Sequence, residues 1–158
     1  MELSEIKKGV TMLQKAIVIL LVDDDDGHSK LVEMNLKRAG IINEFVRARD
    51  GEEALDYVFS RKQYANHPLP QILLILLDIN MPQLNGVETL RQIKADNALK
   101  NIVVIMLTTT DDPIEVARCY RLGCNGYITK PVAYDQFSES IQRLGLFLQV
   151  ITLPQNNA

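Results

Sequence analysis

Three apolar runs without alternation punctuate the chain: residues 16–22 (AIVILLV), 73–77 (LLILL) and 103–107 (VVIML). A run of this kind reads as a strand covered on both faces, which places all three in the interior of a parallel sheet. Two weaker strands, near residues 44–48 and 126–128, carry polar positions that suit the sheet's edges. Between the strands the apolar period changes to that of a helix. Leu31, Val32, Leu36 and Ala39 share one face of a helix over 28–39 that Gly40 stops. Asp50 and Glu53 form a capping box for a helix over 51–60 that buries Ala54, Leu55 and Val58. After the Asn85-Gly86 turn comes a helix over 87–95; Pro113 opens another, which runs to Leu122 and stops at Gly123; the last begins near Asp135. Residues 61–71, with Pro68 and Pro70, form a long loop, and Leu3, Ile6, Val10 and Leu13 predict a short amphipathic helix weakened by Gly9.

Five strands alternating with five helices predict an α/β fold, a doubly wound (βα)5 unit with a five-stranded parallel sheet. The flavodoxin-like order 2-1-3-4-5 centres the three most apolar strands and leaves the two polar ones outside. The expected organisation is an extension over residues 1–16, a domain over 17–148, and an arm or tail over 149–158.

Composition adds mainly exclusions. With 158 residues, 47% hydrophobic and 23% charged, the chain is the size and make-up of one globular domain. A net charge of -3 with scattered basic residues offers no nucleic-acid face. No signal-peptide pattern and no membrane-spanning stretch occurs, so the expectation is a soluble, cytoplasmic protein without nucleic-acid or membrane partners. Cys119 and Cys124 supply too few ligands for a zinc site and read as buried free thiols.

Candidate chemistry follows from the strand order. Asp78 ends the third strand, and alone it reads first as a loop cap and only second as a reactive group. Strands 1 and 3 are neighbours, however, so Asp23 and Asp24 meet Asp78 at one end of the sheet, where strand 4 adds Thr108 and strand 5 adds Lys130. Three carboxylates roughly 5 Å apart repel by about 3 kcal/mol per pair at an effective dielectric near 20. A hard divalent cation with oxygen ligands compensates, and Mg2+ suits carboxylates, a carbonyl, waters and a phosphate oxygen. Beside such a cation Asp78 is a plausible nucleophile that forms an aspartyl phosphate.

Val22-Asp23-Asp24, Asp78, Thr108 and Lys130-Pro131 resemble the signature positions of the two-component response-regulator receiver domain, over about residues 17–147. The resemblance implies that Asp78 accepts a phosphoryl group from a histidine kinase. It implies Mg2+ held by Asp24 directly, by Asp23 largely through water, by Asp78 and by the backbone carbonyl of Asn80. Thr108 and Lys130 would contact phosphoryl oxygens, Tyr127 would be the switch aromatic that follows Thr108, and the Lys130-Pro131 bond would be cis. Thr110 occupies a position that tunes dephosphorylation in that family. Asp25, Asp26 and His28 read as loop or helix-start residues, and His67 as a loop residue without a partner.

The loop with Tyr64-Ala65-Asn66 and its two prolines, Gly51-Glu52-Glu53-Ala54-Leu55 and the apolar tail beginning Leu144-Gly145-Leu146-Phe147 resemble more narrowly the single-domain receivers of cyanobacterial and bacterial phytochromes. That implies a phytochrome-type kinase as partner and a homodimer through helix 4, strand 5, helix 5 and the arm. With no length left for a DNA-binding output domain, output is expected through protein contacts. Three rivals remain weaker. A calcium loop would place Val22 at its first ligand position. A haloacid-dehalogenase-type phosphohydrolase would use the acids after Val22 but lacks the acidic pair after the lysine. A binding module that is never phosphorylated would lack a signature residue.

Overall fold

The computed structural model describes residues 16–131, 133–151 and 153–155. The amphipathic helix expected in the first sixteen residues lies almost wholly outside them. The elements are β1 (Ile17–Val22), α1 (Asp26–Arg38), β2 (Phe45–Ala48), α2 (Gly51–Val58), β3 (Ile72–Leu77), α3 (Gly86–Ala95), β4 (Val103–Thr108), α4 (Pro113–Leu122), β5 (Gly126–Thr129) and α5 (Tyr134–Leu148). The strands form one parallel sheet in the order β2-β1-β3-β4-β5. In the loop after α2 a single 3-10 turn, Lys62–Tyr64, intervenes, and its Tyr64 hydroxyl donates to Glu53 of α2.

β1 and β3 are buried along their whole length, because alternate side chains serve two separate cores. Val18, Leu20, Leu73, Ile75 and Leu77 pack with Ala54, Leu55, Leu90 and Ile93 beneath α2 and α3. Ile17, Ile19, Leu21, Leu74 and Leu76 pack with Leu31, Val32, Leu36, Phe137 and Ile141 beneath α1 and α5. The edge strands β2 and β5 are only half-buried over most of their length, as their polar positions predict.

Side-chain caps set where the helices begin at the carboxyl ends of the strands. Asp25, Asp50, Asn85 and Asp112 each accept a hydrogen bond from a backbone N–H in the first turn of α1, α2, α3 and α4. The Asn85 side chain takes the Glu88 N–H at 3.0 Å, while the Thr89 hydroxyl donates back to the Asn85 carbonyl at 2.9 Å. Replacing Asn85 with Ala is expected to cost about 1 kcal/mol in urea unfolding, the usual worth of such a cap. Gly86 has a different reason to be there. A Cβ at this position would lie 1.9 Å from the Asp78 carbonyl oxygen, so only glycine lets α3 start against the end of β3.

The C-terminal apolar run divides. Leu148 and Leu153 are buried in the core under α1 and α5 and Ile151 packs against it, whereas Leu146, Phe147 and Val150 are exposed. The Gln149 side chain donates to the Ala39 carbonyl and ties the end of α5 to the end of α1. No described peptide bond is cis, so the expected cis Lys130-Pro131 bond is corrected to trans. The trans form is favoured before proline by about 0.5–1 kcal/mol unless the surroundings reverse it.

Candidate functional site

The hydrogen-bond ladder of the sheet runs past the strand ends and fixes the rim. The Asp23 N–H donates to Ala48 at 3.1 Å, Asp78 to Val22 at 3.0 Å, and Lys130 to Thr108 at 2.6 Å. Asp23, Asp78 and Lys130 are thus held by their backbones to the neighbouring strand before their side chains do anything.

Carboxylate oxygens of Asp23, Asp24 and Asp78 all lie within 4.8 Å of one another. Asp23 and Asp78 are buried while Asp24 faces solvent, so the cluster opens on one side. The Lys130 ammonium, itself buried, sits 2.7 Å from Asp23 Oδ2 and 3.7 Å from Asp78 Oδ2. Asp23 Oδ1 accepts the Asp25 N–H at 2.9 Å, and Asp78 Oδ1 accepts the Ile79 N–H at 2.8 Å. Burial pushes the Asp78 carboxyl above its ordinary range; the Lys130 charge pulls it back, Asp23 pushes it further up, and Thr108 and the Ile79 N–H favour the ionised form.

One ammonium cannot balance three carboxylates whose mutual repulsion is about 3 kcal/mol per pair at an effective dielectric near 20. Two buried acids, one open acid and a solvent-facing side are a donor set of hard oxygens that fits a divalent cation retaining waters. Asn80, two residues after Asp78, lies on the same rim, and its side chain donates to the Thr110 hydroxyl at 3.1 Å. Thr108 is buried at the end of β4. The Tyr127 hydroxyl donates to the Thr110 carbonyl at 2.5 Å, joining β5 to the loop that follows Thr108. Burial pushes the Tyr127 hydroxyl up to about 12, so at neutral pH it remains a donor.

The extra acids have local work. Asp25 caps α1 by accepting the His28 N–H at 2.9 Å, and Asp26 pairs with Arg47. His28 packs edge-on against Phe137 at the start of α5, while His67 stacks edge-on against Tyr64. Cys119 and Cys124 are buried free thiols. Arg47 is the residue missed in the sequence. Its guanidinium reaches from β2 over the end of β1 to the Asp23 carbonyl. Its alternation with Val46 could have placed it on the α1 face, beside the acidic run.

A doubly wound sheet with acids, a hydroxyl and a lysine gathered at one rim defines a cation-binding receiver of phosphoryl groups. Residues 19–142 match the response regulator receiver domain family, and the chain belongs to that family as a phosphorelay response regulator. Response regulator Rcp1 of Synechocystis sp. is 38% identical over 138 residues, covering 87% of this chain and 92% of Rcp1. The Mn2+-bound structure of Rcp1 superposes with a TM-score of 0.80 over 87% of this chain and 98% of that one. A response regulator receiver domain from Rhodospirillum rubrum is 41% identical, with a TM-score of 0.83 over 89% of this chain and 99% of its own. The phosphorylated cyanobacterial phytochrome response regulator RcpA is 36% identical, with a TM-score of 0.80 over 87% and 97% of the two chains. Among the described residues no helix is long and apolar enough to cross a membrane.

Proposed function

We propose that this chain takes a phosphoryl group from the phosphohistidine of a phytochrome-type histidine kinase onto Asp78, with Mg2+ in the acidic cluster, and signals by protein contacts in the cytoplasm. The convergence of Asp23, Asp24 and Asp78 around Lys130 carries the reading. Asp24, Asp78 and the Asn80 carbonyl would hold the cation, with Asp23 acting largely through water. Bound there, Mg2+ would polarise the phosphoryl group and offset its charge. An Asp78 oxygen forms the new O–P bond as the histidine N–P bond breaks, and the electron pair of that bond leaves with the imidazole.

Thr108 and Lys130 would each contact a phosphoryl oxygen. Asp78 Oδ2 already lies 3.7 Å from the ammonium, so Lys130 can turn from Asp23 toward the phosphoryl group with little movement. Drawing Thr108 inward shifts the loop that Tyr127 is bonded to, and that bond offers a path from Asp78 to the face formed by α4, β5 and α5. Similarity to Rcp1 and RcpA, the latter named as a phytochrome response regulator, supports the light-sensor partner. With Mg2+ present, a purified phytochrome-type kinase is expected to transfer phosphate within minutes and faster than an unrelated kinase. Faster transfer from the unrelated kinase would contradict this partner, and no transfer from either would contradict the acceptor role.

The dimer reading rests on a groove lined by the exposed Tyr120 and Phe147 together with Tyr127, Ile128 and Leu153, and on the exposed Leu146 and Val150 of the same C-terminal run. Phe147→Asp, which leaves the buried Leu153 in place, is expected to lower the mass measured by sedimentation from dimer to monomer. Deleting residues 149–158 is expected to do the same. An unchanged dimer in both would contradict this interface.

A further inference from the structure

We infer that Arg47 is a positioning residue for the cation site: it clamps the loop that carries Asp23 and Asp24, and so sets how tightly the site binds a divalent cation. The inference rests on the reading of the acidic cluster as that site.

The β1–α1 loop and the first residue of α1 carry four consecutive acids, Asp23 to Asp26, whose repulsion opposes a compact arrangement. Two cations from different strands oppose that tendency. Lys130 holds the loop through a side chain, by its 2.7 Å contact with Asp23 Oδ2. Arg47 holds it through the backbone and from the opposite edge of the sheet. In the parallel ladder Arg47 lies level with Leu21, and its Nε and Nη2 both donate to the Asp23 carbonyl, at 3.3 and 3.1 Å. Its Nη1 pairs with Asp26 in the first turn of α1. One planar guanidinium therefore joins the end of β1 to the start of α1 across the segment that bears Asp24. A lysine, with one ammonium on a flexible stem, cannot reproduce that fork.

Arg49 separates grip from charge. It contributes the same positive charge beside Asp26, at 3.8 Å, and has no contact with Asp23 among the described interactions. Removing a positive charge near a cation site strengthens binding if charge alone matters, whereas removing the clamp weakens it. The two effects have opposite signs, so the sign of the change identifies which operates.

The test is titration with Mn2+, followed by electron paramagnetic resonance, on wild type, Arg47→Gln, Arg47→Lys and Arg49→Gln. Arg47→Gln and Arg47→Lys are both expected to bind about five- to tenfold more weakly, and Arg49→Gln as tightly as wild type or slightly tighter. With acetyl phosphate as donor, the Mg2+ concentration for half-maximal labelling should rise in Arg47→Lys while the rate at saturating Mg2+ stays near wild type. A loss of fold would instead lower the rate at saturating Mg2+. Wild-type affinity in Arg47→Lys, tighter binding in Arg47→Gln, or an equal loss in Arg49→Gln would overturn the inference. If wild type itself bound no Mn2+, the cation-site reading would fail instead.

Discussion

Replacing Asp78 with Asn is expected to reduce phosphoryl incorporation to background and, in the absence of divalent cation, to raise the thermal stability of the protein. Both outcomes come from the same burial. The carboxylate is the proposed nucleophile, and an amide in its place cannot form the acyl phosphate. Its pKa is raised above the ordinary 3.8, first by desolvation and then by Asp23, against the pull of Lys130. Between 3.8 and the raised folded value, the folded state holds a proton that the unfolded chain has lost. The stability linked to Asp78 is therefore fully present below 3.8 and declines as pH rises through the folded pKa. Asn carries no such charge, so the mutant should melt higher than wild type in EDTA at pH 7, and the gap should narrow toward pH 4. Adding Mg2+ should reverse the order, because only wild type offers the third carboxylate. Thermal scans at several pH values, with and without Mg2+, check each part.

The second large effect is expected at Lys130. Lys130→Met keeps the length of the buried stem and removes the charge, leaving Asp23, at 0% exposure, with the Asp25 N–H and no cationic partner. Breaking one side of a buried pair typically costs about 3–5 kcal/mol. Urea unfolding of the cation-free protein should show a loss of that order. Adding Asp23→Asn to Lys130→Met should restore a substantial part of it, since the uncompensated charge is then gone. Labelling at saturating Mg2+ should remain low in the double variant as well, because the ammonium that would face the phosphoryl group is absent.

How far the sequence could be read depended on whether a feature is local. Runs such as 73–77 have no polar position, so burial on both faces and a central place in the sheet follow directly, and the strand order then brings Asp23, Asp24, Asp78, Thr108 and Lys130 to one rim. Which charges touch was less accessible. Spacing puts Lys130 on the rim with the acids, but that its ammonium sits closer to Asp23 than to Asp78, at 2.7 against 3.7 Å, is set by three-dimensional packing. Arg47 depends on a register between β2 and β1 that no local pattern encodes. The tail shows the same limit. Apolarity predicted that residues 146–153 need cover, but the periodicity at the end of α5 decides that Leu148 turns inward while Phe147 turns out.

Asp78 as the single phosphoacceptor is the central claim, and chemical trapping of the label tests it most directly. Protein phosphorylated in the presence of Mg2+ would be reduced with borohydride, which converts an acyl phosphate to an alcohol, then digested and mapped by mass spectrometry. The expected result is one modified position, Asp78, with the label lost to hydroxylamine beforehand. Modification at Asp24 in the β1–α1 loop, as a phosphohydrolase nucleophile would give, or at no acid at all, would contradict it.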